Sequence, residues 1–521
     1  MSSEIVFNGG HQVLTSPGVP LLAAAPIVSS GSTSGSTSGS TSGGTSGGSG
    51  GTSGGSGSTS GGTSGGSGGT SGSTSGGSGS ISAVEIVGGG NQSNWDYAFS
   101  TDGAVADLAQ ALGFYLSVPY SELNGYPTDG IGLFNLTTPS GNEFSGSYVN
   151  NSDYTTTLQL FNDTRFGNTT AATADAAVLA GEVVSATVGT AGASYQTTIA
   201  ALTSSQISGA SVIVCYWGET DSLQFTPINR ALFKACVVRW MALVRSMFSK
   251  TAAQLPFVWF GPPYGPSPAL PNGPATIREI WAEVAADPAQ NAVWVVPQTY
   301  DTMSRSGTQN TVTGLVADTL SDVGHRSASS NVALFKRAAI ATARAIAASN
   351  GLSSSRIPSA LGSGLGPVIS GVSISGTTLT LTITHDGGSD LAVPLLASAG
   401  VGFSVMDGGS VASPGTIIKA TACARVDATH LTVTLASAPT SSAGNRRLFY
   451  PWPQTYSSSQ PYCEIGPGCA VTDNFATIAK PSGFDINATL GVGWAANMPL
   501  QPPVTVTGTG PSATAEWGIA F

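Results

Sequence analysis

Apolar residues along this chain fall into two kinds of pattern, and the change between them divides it. From residue 81 to residue 351, short β-branched runs alternate with stretches of helical period. Val84, Ile86 and Val87 form the first run, followed by Gly88, Gly89 and Gly90 and then Asn91-Gln92-Ser93-Asn94. Glycine tolerates positive φ and close approach, so this spacing predicts a strand ending in a tight turn that exposes the Ser93 hydroxyl. Helical period covers 104–112, and 125–166, rich in Gly, Asn, Ser, Thr and aromatics, predicts a long polar insertion such as a hairpin. Residues 183–188 predict a strand, 195–202 a helix, and 210–216 (ASVIVCY) a strand buried on both faces. The longest helical segment is 228–248; 256–260 and 292–296 predict two further strands, with a helix at 275–286 between them. The alanine-rich stretch 331–348 predicts the last helix. Buried strands interleaved with helices imply an α/β domain over 83–351, a doubly wound parallel sheet of about five strands.

Residues 352–366 (LSSSRIPSALGSGLG) read as a linker. Beyond it the period becomes two: Leu379, Leu381 and Ile383 alternate with threonines, as do Leu431, Val433 and Leu435. With turn signals between such runs, 367–521 is expected to be an antiparallel β-sandwich. At the other end, every residue from Ser29 to Ser80 is Ser, Gly or Thr. That composition cannot offset chain entropy, so 29–82 reads as a flexible linker with an r.m.s. span of roughly 40 Å. Residues 1–28 hold strand-like pieces at 4–7 and 18–22 with too little apolar surface for a core, and are expected to be a docking peptide that orders against a partner.

Composition narrows the partners. The 521 residues carry a formal charge of −10 and are only 9% charged. Nucleic acid and anionic membrane surfaces recruit basic patches, so neither is expected; a neutral glycan is compatible. No apolar run approaches the roughly 20 residues that span a bilayer. Residues 18–28 (GVPLLAAAPIV) are short, hold two prolines and lack the basic start of a Sec signal peptide. The N-terminus is therefore expected to be retained, with export by a route other than Sec or release by lysis. Five cysteines at 215, 236, 423, 463 and 469 give an odd count with neither a disulfide framework nor a CxxC zinc pair. Cys215 and Cys236 sit in apolar contexts as buried thiols, while Cys463 and Cys469, flanking EIGPG, either close a loop outside the cytosol or stay reduced.

A serine hydroxyl attacks only when a base takes its proton. Of four histidines, His11 precedes the Ser/Gly/Thr tract, and His385 and His430 lie within or beside the alternating strands. His325 instead closes Asp322-Val323-Gly324-His325 just ahead of the last predicted helix. A D-x-x-H turn lets the carboxylate hold the imidazole in the tautomer whose free nitrogen faces the serine.

These residues resemble the SGNH or GDSL hydrolases, and among them the carbohydrate acetylesterases that include sialate O-acetylesterases. Asn91-Gln92-Ser93-Asn94 is similar to the family's G-Q-S-N block, residues 218–221 (GETD) to G-E-S-D, and Asp322 with His325 to the terminal D-x-x-H. The resemblance implies Ser93 as nucleophile, His325 as base and Asp322 as its orienting acid. It further implies an oxyanion hole from the backbone N–H groups of Ser93 and Gly192, and no metal or organic cofactor. Gly192, in GTAGAS, also reads as an ordinary turn glycine, and Glu219 and Asp221 as helix caps rather than orienting residues. Two departures stand out: Trp217 and Thr220 occupy the positions of the family's Gln or Asn oxyanion donor, and Asn91 replaces the first glycine. One such donor is worth on the order of 10² to 10³ in rate, so either the Thr220 hydroxyl substitutes or turnover is slow. Phe449, Tyr450, Trp452, Tyr456 and Tyr462 are either a sugar-stacking platform or packing within the C-terminal domain.

The C-terminal runs GTTLTLTITHDGGSDL, GFSVMDGG and CEIGPGCAVTDNF are similar to β-sandwich modules that follow SGNH domains in bacterial and prophage-encoded proteins. Together with the tether, this implies a head displayed on a phage-like particle, such as a phage tail, or on a cell surface, with a trimer among the arrangements open to it. The expected activity is serine ester hydrolysis of O-acetylated polysaccharide. The alternatives are a receptor-binding or adhesive protein that keeps the fold without useful catalysis, and a lipase or thioesterase.

Overall fold

In the computed structural model the described residues are 5–8, 11–14, 84–90, 97–117, 131–135, 204–216, 234, 237–238, 241–242, 244–246, 248–260, 273–295, 308–309, 316–317, 326–410, 414–450, 470–484, 494–501 and 504–521. Two compact units comprise Met1–Ser73 and Thr74–Phe521. In the first, β1 (Ile5–Asn8) and β2 (His11–Leu14) pair antiparallel, Ile5 opposite Leu14. The strand expected at 18–22 lies outside the described residues.

The second unit begins with a five-stranded sheet made of β3 (Val84–Gly90), β4 (Ile131–Asn135), β5 (Ala210–Tyr216), β6 (Phe257–Phe260) and β7 (Ala292–Trp294). All neighbours are parallel, in the order β4-β3-β5-β6-β7. Two expectations need correction. The first strand does not end at Val87: it runs through the glycines, with Gly88 registered against both Asn135 and Val214 and Gly90 against Tyr216. The stretch 125–166, expected as a polar insertion, contains β4, whose backbone pairs with β3 along its whole length. The strand expected at 183–188 and the helix at 195–202 lie outside the described residues; α2 (Ser204–Gly209) leads straight into β5.

Side-chain alternation along each strand divides the core into two faces. Ile86, Val212, Val214, Val258 and Phe260 pack in one cluster with α1 (Ala104–Leu116) and α4 (Ala328–Asn350). Trp259 points the other way and stacks on Trp281 of α3 (Gly273–Ala285), ring centroids 4.3 Å apart. Helices therefore cover both faces, as continuous apolar strands require. The 228–248 segment is helical at its described residues up to Ser246, with Val237, Met241 and Val244 fully buried. β8 (Thr308–Gln309) and β9 (Val316–Ala317) form a small antiparallel ladder.

Helix α4 explains its own composition. Ala338, Ala339, Ala341, Ala343, Ala345 and Ala347 are all buried, so small side chains let the helix be covered on most of its circumference. Its cluster also takes in Leu361, Phe475, Phe484 and Met498 from later in the chain. The 352–366 stretch is packed: the Asp386 carboxylate accepts from the backbone N–H groups of Ser363 at 2.6 Å, Leu365 at 2.8 Å and Gly366 at 3.1 Å. Gly364, at φ +82°, lies so close to α4 that a Cβ there would come within 2.8 Å of Ile340.

The C-terminal half corrects the sandwich expectation. Its named strands are β10 (Val368–Ser375), β11 (Thr378–Thr384), β12 (Leu391–Ala392), β13 (Ser404–Gly409), β14 (Pro414–Arg425), β15 (His430–Leu435), β16 (Arg446–Phe449), β17 (Thr472–Asp473), β18 (Val504–Thr507), β19 (Thr514–Trp517) and β20 (Ile519–Ala520), and it also carries the short helix α5 (Leu395–Ser398). Seven of these strands form one antiparallel sheet, β10-β11-β15-β14-β13-β16-β20, rather than two separate ones. The long β14 makes the link: its first part pairs with β13 and its second with β15, with a register shift between Ala420 and Ala422. A bulge bends a strand, and the two halves enclose one core in which Leu381 and Val433 from one side share contacts with Val405 and Leu448 from the other. Tyr450 belongs to this core, stacked on Phe403 at 4.3 Å with its hydroxyl accepting from Val471 N at 2.6 Å. With Phe449 also fully buried, these two aromatics are packing residues; Trp452, Tyr456 and Tyr462 lie outside the described residues.

The β18–β19 hairpin leaves the sheet and docks on α3. Trp517 N donates to Glu279 Oε1 at 2.6 Å and Ala515 N to Glu283 Oε1 at 2.8 Å. Lys234 Nζ, 3.1 Å from Glu283 Oε2, donates to the carbonyls of Pro511 and Ala513. The Arg278 guanidinium lies over the Trp517 ring, 5.6 Å from its centroid.

A buried carboxylate sits where β17 meets β12. Asp473 is fully buried, and its Oδ1 accepts from Phe475 N at 3.0 Å and Met498 N at 2.8 Å. Burial pushes it up to about 6 from the usual 3.8, against those two N–H groups and the nearby His385 and Arg337. Because the folded value is raised, the group's contribution is complete below the unfolded value and is lost as pH climbs from roughly 4 through about 6. The expected loss is about 3 kcal/mol. Asp473→Asn should flatten the dependence of the urea midpoint on pH across that window; an unchanged slope would remove Asp473 as its source.

Candidate active site

The site is built on the end of β3. Parallel pairing on both sides places β3 between β4 and β5, and the chain passes first to β4 and later to β5. Connections therefore leave β3 and β5 in opposite directions along the sheet, which makes their carboxyl ends a topological switch point where open α/β sheets leave a crevice. Gly90 and Tyr216, the last residues of the two strands, are registered against each other, and Tyr216 against Phe260 of β6.

Beyond Gly90 the description resumes at a π-helical turn, Tyr97–Thr101, in which Ala98 is fully buried. Asp102 N donates to Tyr97 O at 2.7 Å, Gly103 takes a left-handed φ of 69°, and α1 starts at Ala104. On the other side of the crevice, α4 is capped by Ser327, whose Oγ accepts from Ser330 N at 3.3 Å and donates to Ser330 Oγ at 2.9 Å. Arg326, immediately before this cap, is fully buried.

Two polar pairs cross between α1 and α4. Asn331 Nδ2 donates to Asp102 Oδ2 at 2.7 Å, and Lys336 Nζ lies 3.7 Å from Asp107 Oδ2. The step from Asp102 to Asp107 equals that from Asn331 to Lys336, so the helices run parallel. As α1 leads away from the carboxyl end of β3, both helices begin at that end of the sheet, and their positive ends lie on the crevice side. Burial pushes Asp107 up and Lys336 down from their usual values, each opposed by attraction to the other.

Ser93, Gly192, Trp217, Glu219, Thr220, Asp221, Asp322 and His325 lie outside the described residues. What is described is the frame on which they hang. Ser93 falls between Gly90 and Tyr97, residues 217–221 follow Tyr216 on the neighbouring strand, and Asp322 and His325 precede Arg326 and the α4 cap. Sequence reasoning overlooked Asp102, Asp107, Asn331 and Lys336. The available hint was the presence of Asn331 and Lys336 among the alanines and larger apolar residues of this helix.

His385 and His430 are engaged elsewhere. His385 Nε2 lies 2.7 Å from Ala428 O. His430 Nδ1 lies 2.9 Å from both carboxylate oxygens of Asp427, on an exposed hairpin turn where Thr429 N also donates to Asp427 at 2.7 Å. That N–H and the His430 ring hold Asp427 down at about 2, the signature of a locked turn. Cys215 is a buried thiol as expected, pushed far up by burial; Cys423 is buried too, while Cys236, Cys463 and Cys469 lie outside the described residues. A cavity of about 350 Å³ lined by Phe114, Arg356, Pro358, Pro481, Ser482 and Gly483 sits at the opposite end of α1 from the crevice. Among the described residues, no helix is long and apolar enough to cross a membrane.

No protein-family model matches the chain, and no curated protein does. Among solved structures it is similar to a carbohydrate acetylesterase from Xanthomonas citri, at 15% identity and a TM-score of 0.37 over 72% of this chain and 76% of that one.

Proposed function

We propose that residues 83–351 form an SGNH-like serine ester hydrolase acting on O-acetyl groups of a polysaccharide. The supporting observation is the place where the first sheet strand ends. β3 stops at the switch point beside β5, so the residues after Gly90 and those after Tyr216 leave from adjacent strand ends. On the same side begins α4, at Ala328, shortly after the D-x-x-H motif in the sequence. In this reading Ser93 Oγ attacks the ester carbonyl while His325 takes its proton, and Asp322 holds the imidazole and stabilises its cation. The N–H groups of Ser93 and Gly192, with the Thr220 hydroxyl, receive the oxyanion. His325 then protonates the leaving sugar oxygen, and water repeats the sequence on the acyl-enzyme. Residues 29–82 tether this head to a docking peptide at 1–28, which holds it on a phage-like particle or cell surface and raises its local concentration at surface glycan.

A fluorophosphonate probe tests the activated serine directly. Labelling that maps to Ser93 in the folded protein, and is lost on denaturation, is the expected result. Folded protein that binds glycan but leaves Ser93 unlabelled would favour the adhesive alternative, which the absence of the Gln or Asn oxyanion donor at 217 and 220 motivates.

A further inference from the structure

The bend that leads into α1 and the first turn of α4 meet at two side chains. Asn331 donates to Asp102 at 2.7 Å, and the two are 0% and 4% exposed. Around them the helix contact is apolar: Leu108 and Leu112 on α1, Leu334, Phe335 and Ala338 on α4. Apolar packing alone would join these helices, and a buried carboxylate costs several kcal/mol unless donors meet it. What the pair adds is direction. Dispersion contacts tolerate a small slip of one helix along another; a short hydrogen bond to a charged acceptor does not.

Its position gives that directionality a use. Asp102 closes the segment that opens at Asn91, with its own N–H tied to Tyr97 O at 2.7 Å. Asn331 stands in the first turn of α4, its N–H donating to the Ser327 carbonyl at 2.9 Å. Deeper in the same interface the Lys336–Asp107 pair repeats the register. In the sequence, Ser93 and His325 each precede one end of this buried bond by a short length of chain.

We infer that Asp102 and Asn331 are positioning residues for the ester hydrolysis proposed above, their hydrogen bond fixing the chain that follows Ser93 against the chain that follows His325. The inference rests on that reading of Ser93 and His325. A general base works only within about 2.6–3.2 Å of the proton it takes, and a misplacement of about 1 Å costs on the order of 10²-fold in rate. Neither residue touches substrate. Their loss should lower kcat and leave KM nearly unchanged, because the acyl and sugar contacts are not theirs.

The test uses the full-length chain and p-nitrophenyl acetate, with Asn331→Ala, Asn331→Ser in case the first variant does not fold, and the reciprocal pair Asp102→Asn with Asn331→Asp. In the single variants kcat is expected to fall about 10- to 100-fold with KM within about twofold. Hydrogen exchange should quicken in peptides covering 91–101 and 322–331 together, and not in α3. The reciprocal pair restores a carboxylate–amide bond in reverse and should recover most of kcat, which a general loss of stability would not do. Wild-type turnover that needs Ser93 but is indifferent to Asn331→Ala or Asn331→Ser in folded protein would overturn the positioning role and leave the hydrolase reading standing. Wild-type turnover untouched by Ser93→Ala would overturn the hydrolase reading, and the positioning role with it.

Discussion

A chain ending at residue 503 is expected to lose the α/β fold along with the end of the seven-stranded sheet, in a single unfolding event. The removed residues include the whole β18–β19 hairpin and β20. Without them, Glu279 and Glu283 lose the backbone N–H groups of Trp517 and Ala515, Lys234 loses two carbonyl acceptors, and Arg278 loses the Trp517 ring. Glu279, Glu283 and Arg278 are all nearly fully buried, so α3 would meet solvent with a face built to be covered. Trp517 is itself fully buried, and Trp517→Ala alone should cost about 3–5 kcal/mol. Deleting the whole segment should exceed that, against a typical total stability of about 5–15 kcal/mol. Urea unfolding followed separately by tryptophan fluorescence and far-UV circular dichroism checks it. Coincident transitions in the intact chain and loss of both signals in the truncated one are expected; a truncated chain that keeps a cooperative α/β transition would show the hairpin to be dispensable.

Ser93→Ala is expected to lower kcat on small acetyl esters by about four orders of magnitude or more, with the melting temperature unchanged to within a degree or two. The serine supplies the bond-forming atom, so nothing else in the proposed site can replace it. His325→Ala should cost nearly as much, and the double variant little more than either, because the two act as one unit. The rate should rise with pH through the titration of the imidazole, since only its neutral form accepts the serine proton. Losses that instead add in full would mean that Ser93 and His325 do not share a step.

The legible part of the fold is the part written in continuous apolar runs. ASVIVCY and PFVWF have the length and β-branched or aromatic content of two-sided burial, and they are β5 and β6. The Ala-rich stretch ahead of Gly351 is α4, and the glycine, at φ 62°, closes it. β4 was hidden because IGLFN is five residues long and set in a polar, glycine-rich surrounding; its pairing with β3 supplies what its composition does not. The bend in β14 was invisible for a related reason. PGTIIKATACAR reads as one strand, and nothing local marks Ala420–Ala422 as the point where its partner changes. The frame of the candidate site was not legible. Asp102 and Asn331 are 229 positions apart, and a polar residue in a helix reads locally as exposed until its partner is known.

The docking of the last strands on α3 also sets an order of events during synthesis. At roughly 5–20 residues per second, the ribosome needs on the order of tens of seconds to go from the end of α3 to the hairpin that covers it. Throughout that interval the nascent chain carries a helix that lacks the backbone N–H groups of Ala515 and Trp517 and the Trp517 ring. The α/β half, although encoded first, cannot be completed first. Its final closure waits for the hairpin to be made, so the uncovered face of α3 must meanwhile be kept from other chains by a holding chaperone or by dilute expression. Production at low temperature with a slowed translation rate would lengthen this exposure as well as weaken aggregation, and the yield of soluble protein should depend more on chaperone supply than on either.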